Sequence, residues 1–313
     1  MRNGSFLEKV FEMYDTIIIG AGIAGLTAAL YAARKKLKFE VVASAYGGNF
    51  MASGEILNYP GIPKTTGLEF LSIMEKQMSI NDIKVRLETV IEIKKQGSNF
   101  KVITTKNTYD TKTVIIASGA VPKKLSIPGE EKYAKKGVTY CSTCDGPLFA
   151  GMNVAVLGSG NSALQAAYFL KDIASKIYMI VLEQKFSGHE FLIERVQNIS
   201  KIEVHFNAHT KEILGDKFVT GIIYEQNGKE KNLDVKGVII EIGRVPNTEP
   251  FRKIVKLDEE GHILIDCQTN TTVQGIFAAG DCASGHENQY VIAAGQGCMA
   301  LLKVAKYIAI KKD

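Results

Sequence analysis

Cysteine is scarce in this chain, five among 313 residues, too few to build a disulfide-stapled secreted fold. No run approaches 18 apolar residues, so no membrane-spanning helix is expected. The opening segment, Met1 to Asp15, lacks an apolar stretch of signal-peptide length. Excess charge of one sign is also missing: 38 Lys and Arg against 33 Asp and Glu leave +5. The lysines are scattered rather than gathered in a stripe, so nucleic-acid binding is not the default. A soluble cytoplasmic protein is the expectation. What remains is ordinary for a globular chain, 46% hydrophobic and 23% charged, with a length that suits about two domains. The 29 glycines fall in short clusters, which points to tight turns.

The first cluster has a context. Ile17, Ile18 and Ile19 form a β-branched run suited to a strand buried on both faces of a parallel sheet. It leads into Gly20-Ala21-Gly22-Ile23-Ala24-Gly25, and Leu26 to Arg34 is rich in helix formers. Strand, G-x-G-x-x-G and helix make a dinucleotide-binding unit. Gly20 allows the turn, Gly22 lets a pyrophosphate near the backbone, and Gly25 lets helix pack on strand. The second strand of this unit, Phe39 to Ala43, ends in Ser44, so no carboxylate is offered to a ribose there.

A second copy begins at Gly158, 138 residues after Gly20. The strand-like Asn153 to Leu157 precedes Gly158-Ser159-Gly160-Asn161-Ser162-Ala163, with Leu164 to Leu170 helical. Ala163 at the third position still permits close helix–strand packing. The following strand, Lys176 to Leu182, ends at Glu183. A carboxylate there can accept hydrogen bonds from a ribose 2′-OH and repels a 2′-phosphate; the alternative is a solvated Glu opening a loop. Two such units imply an α/β flavin enzyme with two Rossmann-like, three-layer dinucleotide-binding domains, the second inserted into the first. The crossings fall at Val121-Pro122-Lys123-Lys124 and near Val245-Pro246-Asn247. The expected division is residues 14–121 with 248–313 for FAD, and 122–247 for a pyridine-nucleotide-like domain.

Cys141-Ser142-Thr143-Cys144 stands just ahead of the second unit. A C-x-x-C pair reads as half a zinc site, a structural disulfide or a redox dithiol. Cys267, Cys282 and Cys298 stand alone, and His205 and His209 lie in a strand-like stretch, so no four-ligand zinc set is expected. A redox pair fits a flavin enzyme, because it can carry two electrons, with a thiolate as the attacking species. Asp145 follows directly as a candidate proton donor or acceptor; a turn-forming Asp before Gly146 is the alternative.

Taken together, the chain resembles the low-molecular-weight thioredoxin reductase family from about Tyr14 to Ile308. The motifs are GAGIAG at 20–25, Gly47-Gly48, Asn58-Tyr59-Pro60-Gly61 and IIASGA at 115–120. They continue with GVTYCSTCDG at 137–146, GSGNSA at 158–163, GIFAAGDC at 275–282 and AGQGCMA at 294–300. The stretch around the cysteines is equally similar to the flavoprotein component of alkyl hydroperoxide reductase. That relative carries an extra N-terminal redox domain, for which these residues leave no room. The resemblance implies an FAD enzyme in which Gly20, Gly22, Gly25, Gly47, Gly48, Asn58, Ala117, Gly119, Gly280, Asp281 and Gln289 belong to the cofactor site. It makes Cys144 the flavin-proximal thiol, Cys141 the one that attacks a thioredoxin-like protein, and Asp145 the acid/base. It also implies a homodimer whose second domain rotates between flavin reduction and dithiol delivery. A peroxidase-feeding reductase and a flavin-binding redox sensor are the other readings.

The departures concern the electron donor. NADPH-dependent members carry His-Arg-Arg and a further Arg where this chain has Val181-Leu182-Glu183 and Ser187. Those arginines clamp a 2′-phosphate through charge-assisted bonds. Gln165 replaces a common Glu, and Asn288 replaces the Arg before Gln289. NADPH is therefore not the expected donor. NADH through Glu183 is one expectation; ferredoxin or a deazaflavin, as used by relatives like the ferredoxin-dependent flavin thioredoxin reductases, is the other.

Overall fold

The structure, a computed structural model, describes residues 13–311 apart from 54, 286 and 287. Residues 1–12, read above for a leader segment, lie outside them. The chain divides into two compact units, one of residues 1–51, 56–120 and 246–313, the other of 52–55 and 121–245.

In the first unit, β1 (Tyr14–Ala21) leads through the Gly-rich turn into α1 (Ile23–Arg34), followed by β2 (Phe39–Tyr46), α2 (Gly67–Ile80) and β3 (Val85–Leu87). A meander follows: β4 (Val90–Gln96), β5 (Asn99–Thr104) and β6 (Thr108–Ile116). β6 changes partners along its length, antiparallel to β5 over Thr108 to Thr111 and parallel to β1 from Thr111 to Ile116. Alternation along β1 explains why three consecutive isoleucines are all buried. Ile18 faces a core with Leu26, Phe70 and Leu301, whereas Ile17 and Ile19 face one with Phe100, Val102 and Ile263. Helices thus cover one face and antiparallel strands the other, a three-layer arrangement. The meander is anchored by buried Glu88, which accepts hydrogen bonds from Asn107 Nδ2 (2.7 Å) and Tyr109 Oη (3.0 Å). Burial and that carboxylate push the Tyr109 hydroxyl up to about 12.

The inserted unit starts with β7 (Val138–Thr139) and the single turn α3 (Ser142–Asp145), then β8 (Asn153–Leu157), α4 (Asn161–Leu170) and β9 (Lys176–Ile180). α5 (Glu190–Gln197) and β10 (Ile202–His205) follow. β11 (Ala208–Gly215), β12 (Val219–Gln226) and β13 (Lys229–Leu233) form an antiparallel sheet, and β14 (Gly237–Ile240) returns to the parallel one. The parallel order is β7-β14-β8-β9-β10. Val154, Val156, Ile177, Met179 and Ile239 pack on the helical side; Ala155, Leu157, Ile180, Val238 and Ile240 pack on the side of the antiparallel sheet. The strand expected to reach Leu182 stops at Ile180. Val181 stays buried and donates its N–H to His205 O, while Leu182 and Glu183 stand exposed beyond it.

Back in the first unit, β15 (Ile276–Ala278) pairs with β6, and α6 (Tyr290–Ile310) closes the chain. By length and composition alone, α6 is long and apolar enough to cross a membrane. Its environment is a protein core: Ala300, Leu301, Val304 and Ile308 are buried, and a Cβ at Gly297 would lie 2.1 Å from the Ala24 carbonyl oxygen of α1. Only a small-residue seam lets two helices approach so closely.

Candidate active site: two dinucleotide turns and a disulfide

The first turn is shaped by backbone contact. Gly20 has φ +115°, and a Cβ there would meet the Ala117 carbonyl oxygen at 2.1 Å, while one on Gly25 would meet the Gly20 oxygen at 1.9 Å. Any side chain at either position would part α1 from the sheet. Gly22 caps α1 without a side-chain acceptor, leaving the first-turn amides to a phosphate. Gly48 approaches so closely that its Cβ would stand 2.8 Å from Gly22 Cα. The neighbouring Gly47 donates its N–H to Ala21 O (3.0 Å). Two bare backbones facing one another fit a long dinucleotide laid along the turn, so these residues fit FAD.

The remaining residues expected at that site gather around it. Ala117 donates its N–H to Ile19 O (2.7 Å), and Gly119 O accepts from Asn247 N (2.9 Å). Gly280 packs on α1, its Cβ position 3.1 Å from Ala24 Cβ, and donates its N–H to Gln296 Oε1 at 2.7 Å. Asp281 accepts from Asn49 Nδ2 at 2.9 Å, and Asn58 Nδ2 donates to Gln289 Oε1 at 3.2 Å. Asn49 and Gln296 were not singled out from sequence; both sit inside motifs that were, beside Gly48 and within 294–300. Cys282 is buried, burial pushes its thiol up, and its Sγ lies within reach of the Ile116 and Ala279 carbonyls. It is a packing residue.

The redox pair sits where β7 ends. Cys141 and Cys144 form a disulfide. The sulfurs are joined to each other rather than offered to a metal, and among the described residues no three His, Cys, Asp or Glu side chains gather as a metal site. The Cys144 N–H points at Cys141 Sγ (3.1 Å), a donor that would stabilise a thiolate on that sulfur. Asp145 is half-buried; its N–H donates to Cys141 O (3.2 Å) and its carboxylate accepts from the Thr139 hydroxyl. The residue before the pair is also held: Tyr140 Oη donates to buried Glu130 (2.7 Å), which accepts from the Leu125 and Ser126 amides as well.

The second turn repeats the first in backbone and differs in surroundings. Gly158 has φ +136°, and a Cβ there would lie 2.2 Å from the Glu241 carbonyl oxygen and 3.2 Å from Ala163 Cβ. Gly160 caps α4, again without a side-chain acceptor. The segment after Glu183 folds back on this turn: Ser187 N donates to Ser159 O (3.0 Å), their hydroxyls bond at 3.0 Å, and His189 N donates to Asn161 Oδ1 (2.7 Å). Position 187 therefore lies against the turn, and the side chain it brings there is a hydroxyl. Glu183 is exposed, held by its carbonyl to Asn207 N (3.1 Å). Glu241, not anticipated from sequence, follows β14 beside Gly158, and burial raises its carboxyl to about 7.

Residues 14–297 match the pyridine nucleotide-disulphide oxidoreductase family. The chain is 39% identical over 302 residues to the F component of alkyl hydroperoxide reductase from Staphylococcus aureus, covering 95% of this chain and 59% of that protein. It is 36% identical over 306 residues to an NADH dehydrogenase of Bacillus subtilis, covering 97% and 60%. The chain thus spans about three fifths of the length of these curated relatives. Among solved structures, thioredoxin reductase of Lactococcus lactis superposes with a TM-score of 0.89 at 32% identity, covering 95% of this chain and 99% of that one.

Proposed function

The chain belongs to the pyridine nucleotide-disulphide oxidoreductase family, and on that premise we propose that it reduces the disulfide of a thioredoxin-like protein through Cys141 and Cys144. It is an FAD-dependent disulfide oxidoreductase. FAD, when bound, supplies a two-electron store between a donor and the disulfide. The observation that carries the reading is the Cys141–Cys144 disulfide with an amide aimed at the Cys141 sulfur and Asp145 following Cys144 directly in the same helical turn.

The chemistry balances on the chain's own atoms. The Cys141–Cys144 bond takes up two electrons and two protons to become a dithiol. Cys141, as a thiolate, attacks one sulfur of the acceptor disulfide, forming a mixed disulfide and expelling the other sulfur as a thiolate. Cys144 then attacks Cys141 Sγ, the protein disulfide re-forms, and the acceptor leaves as a dithiol. Asp145 takes the Cys144 proton and returns one to the departing sulfur. Replacing either cysteine with Ser should abolish turnover with a thioredoxin-like acceptor while FAD stays bound; full turnover by Cys141→Ser overturns the reading.

The donor in this proposal is NADH or a non-pyridine reductant such as ferredoxin or a reduced deazaflavin, rather than NADPH. Ser187 against the turn, and a carboxylate at Glu183 where NADPH-dependent members carry Arg, support that choice, and the NADH dehydrogenase relative favours NADH. The working form is a cytoplasmic homodimer, checked by light scattering. A second reading, the reductase component of a peroxidase system acting through a separate disulfide carrier, is favoured by the identity to the alkyl hydroperoxide reductase component. Peroxide-dependent oxidation of the donor, seen only when carrier and peroxidase are both added, distinguishes it.

A further inference from the structure

Three hydrogen bonds tie the redox segment to itself. The Cys141 N–H donates to Thr139 Oγ1 at 3.1 Å, the Thr139 hydroxyl donates to Asp145 Oδ2, and the Asp145 N–H donates to Cys141 O at 3.2 Å. We propose that Thr139 is a positioning residue for the proton transfers of the dithiol, holding the Asp145 carboxylate in place beside Cys141 and Cys144. This rests on the disulfide-reductase reading above.

A threonine hydroxyl has one proton to give. With the Cys141 amide filling an acceptor position of the hydroxyl, that proton is directed to the carboxylate. The other acceptor within reach, Cys141 O, is farther away at 3.5 Å. Thr139 is buried, lies on β7 in register with Ile239, and is β-branched, so it has few rotamers and no water to turn to. Asp145 is thereby fixed at both its amide and its carboxylate to atoms of the segment that carries Cys141. Its Oδ1 remains to exchange protons with the thiols.

Among the described residues, β7, the turn after α3 and α4 bring no charged side chain. β7 is Val138-Thr139, the turn after α3 is Gly146-Pro147-Leu148-Phe149, and α4 from Asn161 to Leu170 carries Tyr168 as its single ionisable group. Of the two carboxylates that most closely precede the pair in sequence, Glu130 is occupied by Tyr140 and two backbone amides, and Glu131 pairs with Lys124.

The test compares Thr139→Val, which keeps the shape and removes the hydroxyl, with Thr139→Ser, which keeps the hydroxyl. With a thioredoxin-like acceptor, Thr139→Val should lower kcat about tenfold or more at unchanged KM. Thr139→Ser should stay within about twofold of wild type. In an Asp145→Asn background, Thr139→Val should cost almost nothing further, because the group it serves is gone. Wild-type kcat in Thr139→Val, equal losses in the Val and Ser variants, or fully additive losses in the double variant would each overturn the proposal. Iodoacetamide alkylation of the dithiothreitol-reduced protein across pH gives a readout without turnover. Its midpoint should shift in Thr139→Val and not in Thr139→Ser, and an unshifted midpoint contradicts the role. An enzyme that reduces no acceptor defeats the functional reading and leaves the alkylation result to judge Thr139.

Discussion

Gly20 to Gly25 and Gly158 to Ala163 make the same bend with the same backbone crowding, yet different residues come to meet them. At the first turn, Gly48 brings only backbone, and Asp281 and Gly280 are held by Asn49 and Gln296. At the second, a segment bearing Ser187 is bonded to the turn, Glu183 lies out in solvent, and the Glu241 carbonyl presses on Gly158. The turn itself says that a dinucleotide phosphate can approach. Which dinucleotide, and whether it is welcome, is decided by side chains that arrive from elsewhere in the chain.

The sharpest way to break the comparison is to add a side chain to each turn. Gly48→Val places a Cβ 2.8 Å from Gly22 Cα in a backbone with φ +61°, so FAD affinity should fall by about a hundredfold or more. The purified protein should be nearly colourless, measured as FAD per chain. Gly160→Val, whose Cβ would meet nothing closer than Ser187 Oγ at 3.8 Å, should keep its FAD. Loss of FAD from both variants, or from neither, would erase the distinction between the two turns.

A smaller effect comes from rebuilding the missing clamp. Glu183→Arg with Ser187→Arg replaces a carboxylate and a hydroxyl by two guanidiniums near the second turn. NADPH affinity should rise by about ten- to a hundredfold, with little change for NADH. Fluorescence titration against both nucleotides reads this directly, and an equal gain for the two would mean that the 2′-phosphate is not what these positions sense.

The last effect, on stability rather than on binding, belongs to Glu241. Burial lifts its carboxyl from an ordinary 4.5 to about 7, so the folded protein binds that proton more tightly than the unfolded chain. Stability from this group is full below the unfolded value and is lost as pH rises toward the folded one. Glu241→Gln should match wild type below that window and exceed it above pH 7 by at most about 3 kcal/mol. Thermal unfolding of both proteins across pH checks it; parallel curves would show that the carboxyl is solvated.

Much of this was legible in the sequence because it is local. Ile17 to Ile19, the two Gly-rich turns and Cys141 to Asp145 each carry their meaning within about a dozen residues, where chain geometry is dictated by neighbours. The exceptions are contacts between distant segments. Asn49 and Asp281 are separated by 232 residues, and no local pattern announces their bond. Glu241 is an unremarkable carboxylate in sequence and becomes a buried one only because β14 lies beside β8. The strand after α4 looked longer than it is because Val181 and Leu182 are apolar; Val181 is buried, whereas Leu182 is 61% exposed. Apolar α6 shows the converse, since what its side chains face is settled by α1 and not by composition.

The most direct test of the account is anaerobic stopped-flow reduction of the FAD-loaded protein by NADPH, NADH, reduced ferredoxin and a reduced deazaflavin, followed by flavin absorbance. NADPH should be among the slowest, with NADH or a non-pyridine donor bleaching the flavin first. NADPH reducing it faster than every other donor would contradict the reading of Glu183, Ser187 and the second turn.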